Sequence, residues 1–392
     1  MDDTKGAIVK VVPAIAELDP ESWDKCANPD PTTYNPFISY AFLEVLERSG
    51  CVCDDTGWQP QHLAVMSAQK EDDILACMPC YLKNHSQGEY VFDYAWADAF
   101  ERAGGTYYPK LQCCVPFTPA PGRRFLTAPG PNSQDHEKLL AAAVFKLSKR
   151  LDVSSFHTTF IDEDAWTRLS EFGFLRRIDQ QFHWTNSGYE SFEDFLATLA
   201  SRKRKAIRKE RKTATENGIE ITQLTGSAIT EAHWDSFYRF YLNTSMRKWG
   251  QPYLNRKFFS LLGEEMADQC LLIFAERDGK PIAGALNMIG GDSLYGRNWG
   301  AIEHHPCLHF ELCYYQAIDF AINHNIARVE AGAQGEHKLA RGYMPTTTYS
   351  LHWFADPRLQ NAVDDYLDQE RSHMERTHEI LADYGPYKKT TC

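Results

Sequence analysis

The sequence predicts an α+β protein made of two tandem copies of one domain, each a mixed sheet flanked by helices. Residues 270–354 carry the first sign. They read as a β-hairpin (271–275 and 282–289, joined at Asp278-Gly279), a third strand (294–300), a helix (310–324), a strand (328–331) and a returning strand (349–354). Antiparallel strands followed by one crossover helix and a returning strand make an α+β layer with a single parallel pair. The second sign is repetition: helix, strand, hairpin and strand recur in both halves, with Phe42-Leu43 and Phe258-Phe259 at equivalent places. The third is length, since 392 residues exceed one ordinary core and suit two domains.

Each element has its own local reason. Asp19 caps a helix over 20–26, and a loop with Pro29, Pro31 and Pro36 leads to a helix over 38–48 stopped by Gly50. Strands follow at 62–67 and 74–82. The first copy continues through 90–94, a Gly104-Gly105 turn, 107–115 and a proline-rich stretch from Pro116 to Pro131. A helix over 136–151, strands at 156–160 and 182–184, and a helix over 166–172 close it. Ser191, with Asp194 in a capping-box position, opens a helix expected to run unbroken to 216, where Asn217-Gly218 stops it. A strand at 219–224 and helices over 231–249 and 256–267 lead into the organising stretch. In the 310–324 helix, Gln316, Asp319 and Asn323 leave a narrow polar stripe on an apolar cylinder, so most of it must be covered. The last helix, 357–384, has Val363, Tyr366, Leu367, Met374 and Leu381 on one side, to pack on the body or make a homodimer contact. The expected limits are 1–188 for an N-terminal domain that is degenerate, 189–356 for the domain carrying the site, and 357–392 for a helix and tail.

Composition sets the bounds. A hydrophobic content of 43% with 13% aromatics belongs to a packed globular chain. No apolar run approaches the roughly 20 residues of a membrane span. The acidic first twenty residues lack a signal peptide's plan, so a cytoplasmic protein is expected. Cys77-x-x-Cys80 and Cys51-x-Cys53 invite a zinc reading, but no second pair sits at ligand spacing and Cys77–Tyr81 looks like a buried strand end. The expectation is therefore no metal. A net charge of −12 argues against a general nucleic-acid or DNA binder. The charge is uneven, however: Arg202, Lys203, Arg204, Lys205, Arg208, Lys209, Arg211 and Lys212 put eight cations and the single anion Glu210 into eleven residues. Such a run concentrates positive potential and suits phosphate.

Two segments resemble a known family. Phe195-Leu196, Leu199, Arg202-Lys-Arg-Lys, Ile207-Arg208-Lys209 and Gly218-Ile219 resemble the signature that opens the second domain of FemAB-like transferases. Those are tandem-GNAT proteins whose best-known members move an amino acid from aminoacyl-tRNA onto a peptidoglycan precursor. Trp299-Gly-Ala, His304, Pro306 and His309–Ile318, with Val329–Tyr343, are similar to the branch labelled peptidoglycan biosynthesis/recognition or GNAT-family N-acyltransferase. The resemblance implies that the parallel pair splays and that a donor's acyl group lies in the gap. It implies an N-acyltransferase with no tightly bound cofactor, acyl-CoA being a co-substrate. One departure stands out. CoA-using relatives carry a glycine-rich turn before the crossover helix, whose amides cradle pyrophosphate. Here 301–310 holds no glycine, and Pro306 removes a donor.

The candidate site follows. The loop 332–343 packs Gly332, Gln334, Gly335, Glu336, His337, Lys338, Arg341 and Tyr343 directly after a strand, where ligands gather in open sheets. An amine nucleophile must lose a proton, which assigns base roles to Glu303, His304, Glu330 or His337. Glu330 inside a strand needs a partner, expected to be Arg297 or Arg341. Arg297 and Trp299 line the site from their strand. The expected function is transfer of an acyl group from acyl-CoA to a small-molecule or peptide amine. An aminoacyl-tRNA donor is the alternative, and a non-catalytic anion-binding module is the second alternative.

Overall fold

The computed structural model describes residues 7–70, 72–248, 250–332 and 335–388. The chain divides into two compact units that interleave along the sequence. The first comprises 1–31, 37–179 and 347–376, and the second 32–36, 180–346 and 377–392. The contiguous limits expected at 188 and 356 differ from this division. The chain changes unit inside the strands Leu175–Thr185 and Met344–Phe354, which carry no turn at the boundary to mark it.

In the first unit, Ala7–Val12, His62–Ser67, Ile74–Met78 and Leu126–Thr127 form an antiparallel sheet. Trp58–Pro60, Cys80–Lys83, Lys110–Cys113, Ser155–Ile161 and residues 349–354 follow one another in a second row. One pair there is parallel, Lys110–Cys113 with Ser155–Ile161, over Leu111↔Phe156, Gln112↔His157 and Cys113↔Thr158. Helix Ser133–Leu151 buries Leu140, Val144 and Leu147 in the core of this unit. Each such side chain stabilises by about 1.5–3 kcal/mol relative to exposure. Cys77 and Cys80 are buried strand residues whose thiols burial pushes well up, the behaviour of small hydrophobes. A helix at Tyr94–Arg102 has no expected counterpart. The final helix, Pro357–Asp383, buries Leu359, Val363 and Leu367 beside Trp96, Tyr107 and Phe354, while Tyr366, expected on the same face, is half exposed.

A polar seam runs through this unit's core. Lys110 Nζ donates to Ser86 Oγ (2.7 Å), Glu89 Oε2 (2.7 Å) and Asp93 Oδ2 (2.5 Å), all buried. Its cross-strand neighbour Lys83 lies 3.4 Å above the Trp58 ring. Burial lowers Lys83 to about 7 and raises Glu89 to about 7. For Asp93, Lys110 and His157 outweigh the desolvation and hold its carboxyl well below the usual range. Buried charges persist when paired this way, and breaking such a pair is costly.

The second unit orders its strands Ile219–Thr225, Cys270–Arg277, Lys280–Ile289, Ser293–Ala301, Arg328–Glu330 and residues 183–185. Asp278 and Gly279 both have positive φ, the tight-hairpin signature. The crossover helix, 308–323, buries Leu312, Tyr315, Ala317, Ile318 and Ala321 completely and leaves Gln316, Asp319 and Asn323 as its wetter stripe. The single helix expected from 191 to 216 is two, Phe192–Thr198 and Ser201–Ala214. Between them the backbone turns extended, and residues 386–388 take its groups. Ala200 N donates to Pro386 O (2.9 Å), and Lys388 N donates to Thr198 O (2.9 Å). Among the described residues no helix is long and apolar enough to cross a membrane.

Candidate functional site

The second unit's parallel pair opens almost as soon as it forms. Ser293↔Arg328, Leu294↔Val329 and Tyr295↔Glu330 are in register, and then Ser293–Ala301 continues without that partner. On its other edge, Asn287 faces Gly296 and Leu286 faces Asn298, so Arg297 is the extra residue of a β-bulge. Bulges bend and twist a strand locally, and they cluster beside active sites. Past the strand, residues 301–310 turn through Cys307, which holds a left-handed φ of 63° before the crossover helix starts. A cleft of about 360 Å³ lies there, lined by Asn243, Arg247, Trp299, Glu303, His304, His305 and Phe310 among others.

The crossover helix contains a π-turn over Glu311–Tyr315. Such wide turns favour functional sites because they re-aim side chains. Here the turn brings His309 and Tyr314, five residues apart, edge to face at 5.5 Å. In a regular helix that spacing would place them on different faces. His309 also meets Trp299 edge-on at 5.2 Å. Tyr314 Oη and His337 Nε2 are 2.9 Å apart, and which of the two donates depends on the tautomer. Burial pushes the Tyr314 phenol up, so it stays protonated at neutral pH. Tyr343, fully buried, donates to the Tyr314 carbonyl at 3.3 Å, one of the groups the wide turn rearranges.

The turn Glu336–Arg341 is fixed from within. Lys338 is buried and donates to Gly332 O (2.9 Å), and burial lowers its ammonium to about 8. Arg341 donates to His337 O (2.7 Å), lies 3.5 Å over the Phe310 ring, and pairs with Glu210 at 2.9 Å. Gly332, Gly335 and Gly342 all have positive φ, and a Cβ on Gly342 would collide with the Phe195 ring. The expected contributors Trp299, His337, Lys338, Arg341 and Tyr343 thus converge with the crossover helix. Gln334 lies outside the described residues. Glu336 begins the turn.

Other expected residues have different duties. Glu303 is held by Arg277 and His305, and the Arg277 hydrogen bond, first, keeps its carboxyl below the usual range, which makes it a weak base. His304 lies exposed on the cleft rim. Glu330 is buried, pairs with Arg328 (3.2 Å), its neighbour but one along the strand, and lies 3.9 Å from His183, while Arg341, one of the partners expected for it, pairs with Glu210.

The eight cations divide as well. Arg211 is structural, paired with Glu311 (3.0 Å) and Asp319 (2.6 Å) above the Phe192 ring. Arg208 pairs with Glu193. Arg202, Lys203, Arg204, Lys205, Lys209 and Lys212 make no ion pair among the described residues. Sequence reasoning missed His309, Phe310, Tyr314 and Glu210 as site residues. The first three stood within the family-like segment His309–Ile318, but only the π-turn joins them.

Comparison with known proteins bears on the family and the fold. The model of a FemAB-like family, described as peptidoglycan biosynthesis/recognition, matches residues 14–389. A search of curated proteins returns no match. Among solved structures, FemX aligns with 10% identity over 91% of this chain and 100% of its own, at a TM-score of 0.54. The C-terminal domain of a chain designated a lysylphosphatidylglycerol synthetase, from Agrobacterium fabrum, aligns with 7% identity over 88% and 95%, also at 0.54. A tandem GNAT protein from the clavulanic acid biosynthesis pathway gives 10% identity over 90% and 99%, at 0.49.

Proposed function

This chain belongs to the FemAB-like family and has its tandem GNAT fold, and from that premise we propose that it transfers an aminoacyl group from an RNA ester to an amine acceptor. The observation that carries the chemistry is the Tyr314–His337 approach of 2.9 Å beside His309, which itself lines the cleft where the parallel pair has opened. The amine nitrogen attacks the ester carbonyl, forming the C–N bond as the C–O bond breaks. His309 takes the amine's proton. Tyr314, kept protonated by burial, gives one to the departing ribose oxygen and regains it from solvent through the exposed His337, while His309 returns the amine's proton to solvent. Backbone amides of the splayed strand would stabilise the carbonyl oxygen as it gains charge.

The donor assignment rests on charge. Six unpaired cations spread over about 15 Å of the helix Ser201–Ala214 exceed what one diphosphate engages and suit a polyanion. The glycine turn that would favour CoA is missing. Thermal unfolding with an aminoacylated RNA minihelix, and separately with acetyl-CoA and longer acyl-CoAs, tests this. A site saturated at about 100 times its Kd gains about 2.7 kcal/mol. A shift with the RNA and none with CoA esters supports the reading. A shift with CoA esters alone replaces the donor by acyl-CoA. Transfer to a peptide amine, read by mass spectrometry, tests the reaction, and a chain that binds donor without turnover would be a binding module.

A further inference from the structure

Glu210, the single anion in the basic run, closes a second cleft. This one, of about 330 Å³, is lined by Arg202, Lys203, Ala206, Ile207, Glu210, Ala340 and Arg341. Arg341 is its inner wall, only 6% exposed. Its Nη2 donates to both Glu210 oxygens at 3.0 and 2.9 Å, while its Nε is buried and has no hydrogen-bond partner. Glu210 also accepts from the Tyr315 hydroxyl. Arg202 and Lys203 face the same space without ion pairs. The cleft therefore collects three cations around one carboxylate. A planar guanidinium binds carboxylate and phosphate in the same forked way, so a phosphate can take the place Glu210 fills.

We propose that this cleft is a phosphate subsite for the acceptor end of the RNA donor, in which a backbone phosphate held by Arg202 and Lys203 takes Arg341 over from Glu210. The proposal rests on the RNA-donor reading above and adds the place and the internal competitor. It also links binding to chemistry. Arg341 Nη1 holds the His337 carbonyl at 2.7 Å, so a phosphate that moves the guanidinium moves the turn bearing His337. Glu210 keeps Tyr315 as its donor when Arg341 leaves.

Fluorescence anisotropy of a labelled RNA minihelix on the full chain tests this, over a salt series. The double variant R202A/K203A should bind at least tenfold more weakly, with a salt slope reduced by about 0.7 for each phosphate no longer neutralised. K205A/K212A, on exposed positions outside the cleft, should weaken binding clearly less. Glu210→Gln should bind about three- to tenfold tighter, because the competing charge is gone. Should that variant melt early for want of a partner to Arg341, the two double variants still decide. Equal weakening by both doubles, or no gain in a folded Glu210→Gln, overturns the subsite and leaves the RNA donor standing. No binding of the minihelix by the unaltered chain, with a thermal shift from acyl-CoA, overturns both.

Discussion

The two parallel pairs begin alike and end differently. Each holds three register pairs, Leu111–Cys113 with Phe156–Thr158 in the first unit and Ser293–Tyr295 with Arg328–Glu330 in the second. In the first, the continuing strand is met at once by the chain itself. Arg124, fully buried, donates from Nε to Thr159 O (3.1 Å), and Gly122 N donates to Phe160 O (2.9 Å). Gln112 adds a bond to Thr159 Oγ1 at 3.2 Å. In the second, the strand runs on to a cleft lined by Trp299 and Phe310. The strand that runs on is thus bridged by a hydrogen-bonded arginine in one copy and leads to an open cleft in the other. Buried charge is placed differently too: the first unit gathers it in a network about Lys110, and the second disperses it over Glu311, Glu330, Lys338 and Arg341, the last of which lines a cleft.

On that contrast, substitutions in the two units should fail in different ways. The largest effect is expected from Lys110→Met, which strands the buried Glu89 and Asp93. Removing one partner of such a pair costs about 3–5 kcal/mol, measurable by denaturant unfolding. Transfer per folded molecule should be unchanged, and loss of transfer in the folded variant would show that the first unit takes part in the chemistry. Next comes Tyr314→Phe, expected to slow single-turnover transfer about 100-fold, or about 2.7 kcal/mol of barrier, with little change in Tm. A normal rate would remove Tyr314 as proton donor.

Smaller is Gly300→Ala. A Cβ there would lie 2.2 Å from the Phe240 backbone carbon and oxygen in helix Glu231–Lys248. Overpacking of that kind costs about 1–3 kcal/mol, read as a lowered Tm. An unmoved Tm would mean the strand end shifts freely. A pH effect completes the contrast. Folded Lys83 holds its proton only to about pH 7, while an unfolded lysine keeps it to about 10.4. Between those values the unfolded chain binds more protons, so stability rises with pH there. Glu89 acts oppositely, since its folded value of about 7 lies above the unfolded one, and stability falls as pH climbs towards 7. Lys83→Met should abolish the rise above pH 7 and keep the fall below it. A rise that survives would place the titrating group elsewhere.

The sequence carried the architecture well, because hairpins, caps and the polar stripe of the crossover helix are local signals. Asp19 and Ser191 each cap the helix that follows them. It did not carry what distant segments impose. The break at Leu199–Ala200 comes from residues 386–388, and neither position has a helix-breaking side chain. Arg211 looked like its seven neighbours, and only Glu311 and Asp319, far along the chain, single it out. The loop 332–343 was visible as a candidate through its glycines and charges. Its counterpart on the helix was not, since a regular period separates His309 from Tyr314.

The π-turn makes this site a matter of counting as much as of residue identity. One residue inserted into or removed from a helix rotates everything beyond it by about 100° relative to everything before. Inserting one residue beside Cys313, a half-buried position with no proposed chemistry, would put six steps between His309 and Tyr314, a spacing that lies on different faces of a helix. His309 and Tyr314 would then part company, although both would still be present. A lineage could therefore silence or restore such a site through a single codon of length, leaving every reactive side chain in place. Comparing relatives by which residues they retain would miss that change, whereas comparing the spacing between His309 and Tyr314 would reveal it.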